Sequence, residues 1–145
     1  MKDLFGTLDE KDKELLVKAP VIITLLAAAT EGELDRTEIR DAIEMAHLRT
    51  FTAPESLQSY YREVERIFQN ELDKMINDYS PFNKRNRNEI AKKMDEVYAV
   101  IKGLDEDYGS RLLQSLNSYA KHVSESHRNF LYNMLLPVDI PEIND

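Results

Sequence analysis

Four carboxylates, Glu31, Glu33, Asp35 and Glu38, fall within eight residues in the stretch AATEGELDRTEI. Acidic side chains this close repel one another, and a divalent cation relieves that repulsion. Calcium, magnesium and zinc all accept carboxylate oxygen. The four are therefore candidate metal ligands. The same residues also have a purely structural reading. Gly32 can stop one helix, Asp35 can cap the next, and Glu38 three residues on completes a capping box. An EF-hand fits only by half: Gly32, Leu34 and Glu38 match its positions 6, 8 and 12, but Ala27 and Ala29 stand where ligands belong.

Other chemistry-bearing groups are sparse. Glu44-Met-Ala-His47 is a Glu-x-x-His on a predicted helix, a motif that di-iron carboxylate bundles use twice. His122 and His127, the other histidines, lack the glutamate three residues before them. Lys84, Arg85 and Arg87 form a basic cluster at a predicted helix start, where anions are favoured and cations are not. They are candidate anion ligands, with Tyr79 and Phe82 close enough in sequence to stack on one, or else a solvated charged face. No phosphate loop, nucleophile elbow or zinc-protease motif is present. With no cysteine there is no thiolate zinc site, iron–sulfur cluster or disulfide.

The elements that must position these groups read as helices. Thr7-x-x-Glu10 suggests a capped helix to about Lys18, and Pro20 suits the first turn of the next. That second helix, to about Thr30, is apolar nearly all round, as a central core helix is. A third is expected from Arg36 to Arg49, with Ile39, Ile43 and Ala46 inward. Helical spacing continues from Pro54 to about Tyr79, from Asn86 to Lys102, and from Asp105 through Val123; it resumes at Phe130 and Met134. No convincing strand appears. The expected fold is all-α: one compact domain over residues 1–145, a bundle of about six or seven helices, with 137–145 an irregular tail. Its core should include Ile22, Leu25, Leu26, Ile39, Ile43, Val64, Ile67, Leu72, Val97, Ile101, Leu112, Leu116 and Val123.

A net charge of −8 gives no general attraction to nucleic acid or to an anionic membrane, and favours cations or a basic protein partner. The longest apolar run, Ala19 to Ala29, falls short of the ~20 residues of a membrane span. The N-terminus lacks a signal-like apolar segment, so a cytoplasmic location is expected.

LLAAATEGELDRTEI resembles the signature of tellurite-resistance TerB-like domains: an alanine-rich helix end, Asp-Gly, an aliphatic two residues on, then Glu. Leu25 to Ala29 match the helix end, and Gly32, Leu34 and Glu38 match the hinge, with Glu31 in place of Asp. The resemblance implies a non-enzymatic helical module linked to stress response, with an acidic surface proposed to bind metal through Glu31, Glu33 and Glu38. The family often repeats the motif near its C-terminus. Here the counterpart is Val123 to Phe130, where His127 and Arg128 replace Asp and Gly, leaving Glu125, His127 and Asn129 as further donors.

Overall fold

The computed structural model describes residues 4–29 and 36–123, without the side chains at 28–29, 36–39, 41–42 and 45. After a 3-10 turn at Phe5–Thr7 come α1 (Glu10–Val17), α2 (Ala19–Ala29), α3 (Arg36–Thr52), α4 (Glu55–Tyr79), α5 (Lys84–Lys102) and α6 (Glu106–Val123). Among the described residues there is no strand, as the helical spacing predicts.

Helix starts follow local chemistry. Asp9 caps α1 by accepting from the Asp12 amide at 2.8 Å. Thr7, expected to be that cap, instead donates its hydroxyl to the Leu4 carbonyl within the 3-10 turn, so the helix begins later. Asn83 caps α5, which starts at Lys84 rather than Asn86, and Asp105 caps α6 as its sequence suggests. Gly109 lies inside α6 for a packing reason. A Cβ there would sit 3.1 Å from the Ile101 carbonyl oxygen, so a bare α-carbon lets α6 approach the end of α5.

α2 is the axis of the bundle and packs on α4, α5 and α6 together. Val21, Ile22, Ile23 and Leu25 are fully buried, and each contributes about 1.5–3 kcal/mol of apolar burial. α1 and α2 are joined by the single residue Lys18. Pro20 has no N–H, so the Leu16 carbonyl loses the partner that a continuous helix would supply. The buried Tyr60 hydroxyl replaces it, donating to Leu16 O at 2.7 Å. Thr24, which interrupts the apolar run, is itself buried. Its hydroxyl donates to Pro20 O at 2.8 Å, leaving its oxygen to accept from the Tyr119 hydroxyl at 2.9 Å. Tyr61 on α4 bonds Ser115 on α6.

Leu57, Tyr60, Tyr61, Val64, Phe68, Leu72 and Met75 form the inner stripe of α4. Ile67, Ile43 and Val123 are only partly buried at the core's edge, because Phe68 takes the inward position beside Ile67. The remaining expected core residues are buried, except that the Ile39 side chain is outside the description.

Candidate functional site

The acidic stretch connects the end of α2 at Ala29 to the start of α3 at Arg36. Glu31, Glu33 and Asp35 lie outside the described residues. Glu38 stands in the first turn of α3, and its side chain is likewise outside the description. Glu125, His127 and Asn129 also fall outside it. Among the described residues, no three His, Asp or Glu side chains are grouped to hold a metal.

The Glu-x-x-His motif is on α3, where Glu44 and His47 are both exposed. His47 does not join a ring of carboxylates. Its Nδ1 pairs with Glu65 of α4, whose other oxygen accepts from the Thr50 hydroxyl at 3.1 Å. The ring is held by that one carboxylate and meets the Phe51 ring edge-on, with centroids 5.1 Å apart. The His47 hydrogen bond holds the Glu65 carboxyl below the usual carboxylate range. Slight burial opposes that shift, and the Thr50 bond and the His47 charge add to it. A depressed carboxyl contributes stability above its unfolded pKa and loses it as pH falls through the folded one. Glu65→Gln should therefore cost less than about 1 kcal/mol near neutrality, since the pair is partly exposed, and nothing once the carboxyl is protonated in acid. Urea denaturation of both proteins across the acid range checks this; a difference that grows as pH falls contradicts it.

His122 donates Nδ1 to the Ser118 carbonyl one turn back, at 2.9 Å. Lys84, Arg85 and Arg87 are exposed on the first turn of α5, and among the described residues none pairs with a carboxylate. The stacking partners expected beside them are not both free: Phe82 is buried in the core and Tyr79 half-buried against it. The basic cluster is thus a solvated turn rather than a walled site.

One groove, of about 640 Å³, runs between α1 and α4 over Phe5, Val17 and Ile67. None of the candidates read from the sequence lines it. Six of its seven charges pair off, Lys13 with Glu10, Lys18 with Glu71 and Arg66 with Glu63, leaving Glu14 as the excess charge. Such pairing leaves no concentrated field to select an ion. The groove carries no sequence motif, because it arises from the packing of two helices remote in the chain.

No protein-family model, curated protein or solved structure matches this chain. α2, buried from Ala19 to Ala27, delivers the acidic connection, and α3, exposed at Arg40, Glu44, His47 and Leu48, leaves it. None of the described helices is long and apolar enough to cross a membrane.

Two exposed residues escaped the sequence reading. Leu48 and Phe51 on α3 are 55% and 68% exposed, the large hydrophobics most open to solvent among the described residues. Their signal was present, since they fall outside the inward stripe of Ile43 and Ala46, but the Arg36–Arg49 reading ended α3 before Phe51.

Proposed function

We propose that the chain is a non-enzymatic, TerB-like helical module of the stress response, a bundle of six or seven helices that binds a divalent cation at its acidic inter-helix connection. The reading rests on one combination. A buried, alanine-rich helix, α2, runs directly into Thr-Glu-Gly-Glu-Leu-Asp, and a new helix starts at Arg36. Glu31, Glu33 and Glu38 are the proposed ligands, with Asp35 contributing less because capping α3 would occupy one of its oxygens. The acidic net charge supports the same preference for cations, in a protein of the cytoplasm.

A cation that binds only the native state stabilises it by mass action, about 1.4 kcal/mol at ten times the dissociation constant. Millimolar calcium or magnesium should raise the melting temperature of the wild type, and raise that of Glu31→Gln/Glu33→Gln much less. Equal shifts in both proteins would sink the cation site and leave the connection structural.

The second reading is a metal-free scaffold that engages a basic protein. Leu48 and Phe51, apolar and exposed near the end of α3, favour it. The carboxylate-bridged metalloenzyme reading has less support, because its histidine, His47, is committed to Glu65.

A further inference from the structure

The groove between α1 and α4 holds chemistry that neither the acidic connection nor α3 uses. Its lining on α4 runs from Ser59 to Glu71, about 18 Å of helix. The 3-10 turn closes one end, where the Phe5 ring meets Tyr60 edge-on with centroids 5.7 Å apart. Lys18 and Glu71, 3.7 Å apart, bridge the other end from the close of α1 to α4. The enclosed volume, about 640 Å³, is that of a small-molecule site, which spans roughly 300–1,000 Å³.

Glu14 is the charge this groove leaves over. A helical Glu is ordinarily answered by a Lys four residues on. Here that residue is Lys18, and it turns across the groove to Glu71 instead. Lys13 is held by Glu10 at 3.6 Å, and Arg66 by Glu63 at 2.9 Å. Glu14 is exposed, and among the described residues no cation lies within pairing distance of it. Val17, one helical turn on along the same face, joins Phe5 and Ile67 as the apolar part of the lining.

Charge selects among the occupants. An anion adds to the excess negative charge, and a polycation meets Lys13, Lys18 and Arg66 on the rim. A neutral molecule leaves Glu14 unanswered. A single positive charge on an apolar body answers both the carboxylate and the floor. The groove already seats one alkylammonium, its own. The Lys13 ammonium lies 5.9 Å from the centre of the Phe5 ring, within cation–π range, while pairing with the Glu10 carboxylate. Glu14 offers a second carboxylate one turn further along α1.

We infer that the α1–α4 groove binds a small organic monocation, an amine whose ammonium pairs with Glu14 and whose apolar body lies along Val17, Ile67 and Phe5. Glu14 sets the preference for a cation, and the Lys18–Glu71 bridge limits the length of the body. The groove shares no residue with the acidic connection, so the two sites are tested independently.

The test titrates phenethylammonium into the full chain, with 2-phenylethanol and phenylacetate as its neutral and anionic counterparts, observed by amide nuclear magnetic resonance. Phenethylammonium should shift the amides of residues 13–18 and 63–67 saturably, with those around the exposed Glu96 on α5 unmoved. 2-Phenylethanol should bind about two- to fivefold more weakly, the range that an exposed ion pair spans, and phenylacetate more weakly still. Glu14→Gln should abolish the preference for the amine over the alcohol, and Glu14→Lys should pass it to phenylacetate. Position 14 is exposed on a helix, so both variants should keep the helical circular dichroism of the wild type. Two results overturn the proposal. One is a response of the lining amides that is absent or stays linear with concentration. The other is a preference for the amine that survives Glu14→Gln.

Discussion

Leu26→Ala is expected to lower the unfolding free energy by about 2–5 kcal/mol, measured by urea or thermal denaturation. The side chain is 1% exposed on a helix that packs against α4, α5 and α6 at once. Removing it takes away the burial of its methyl groups and leaves a cavity among three neighbouring helices. Those helices cannot close the cavity by moving together, because each is also fixed elsewhere. Tyr60 ties α4 to the end of α1, Tyr61 ties α4 to α6, and Gly109 holds α6 against the end of α5. Partial collapse is thus obstructed, which places the expected cost away from the lower end of the range. A loss under about 1 kcal/mol would show that α2 is not the centre of the bundle.

The central place of α2 was legible because nothing in Ala19–Ala29 could face water, and length alone kept the run from reading as a membrane span. α4, α5 and α6 were legible for the opposite reason: their apolar and charged residues separate cleanly at helical spacing. What the spacing could not show was how the core satisfies its polar atoms. Thr24 reads as a flaw in an apolar run. Only the fold brings it to Tyr119, ninety-five positions away. Pro20 was read correctly as a helix start, but the sequence does not reveal that Tyr60 would answer the carbonyl it leaves open. Helix ends were misplaced by a few residues where two caps competed. Thr7 and Asp9 are both good caps, and Thr7 lost because its hydroxyl was taken by the turn before it.

The candidate site divides in the same way. Four acids in a connection between helices can be read from types and spacing alone, and so can the helices on either side. Ligation cannot, because it depends on which oxygens converge. The Glu-x-x-His motif illustrates the difference. Glu44 and His47 share one side of α3, yet the ring of His47 turns to Glu65, a residue of another helix that no local pattern connects with it. The outer face of α3 was missed for a simpler reason. A search for one inward stripe stops once Ile43 and Ala46 supply it, and a second stripe then reads as surface.

Raising the pH above about 10 should unfold the protein in one steep transition, with tyrosine ionisation and loss of helix occurring together. Burial is the first cause of a raised phenol pKa at Tyr60, Tyr61, Tyr98 and Tyr119. Neighbouring phenols add to the shift at Tyr60, and the Asp95 charge adds at Tyr98. The Ser115 bond and the Arg49 charge pull Tyr61 back, and the Thr24 bond does the same for Tyr119. All four keep their protons in the fold at a pH where the unfolded chain has begun to release them. A raised pKa of this kind contributes stability in full below the unfolded value near 10 and loses it as pH rises toward the folded value. Each group that still keeps its proton removes about 1.4 kcal/mol per pH unit, so the four together remove at most about 5–6. The whole stability of an ordinary domain is about 5–15 kcal/mol, so one to three pH units should exhaust it. Tyr119→Phe is the informative variant. It starts less stable, having lost the bond to Thr24, yet its alkaline slope should be shallower by one proton. Tyrosinate absorbance and far-ultraviolet circular dichroism followed on one sample decide the matter. If these phenols ionise while the helices persist, water reaches them in the native state, and the tyrosine-lined interior described above is wrong.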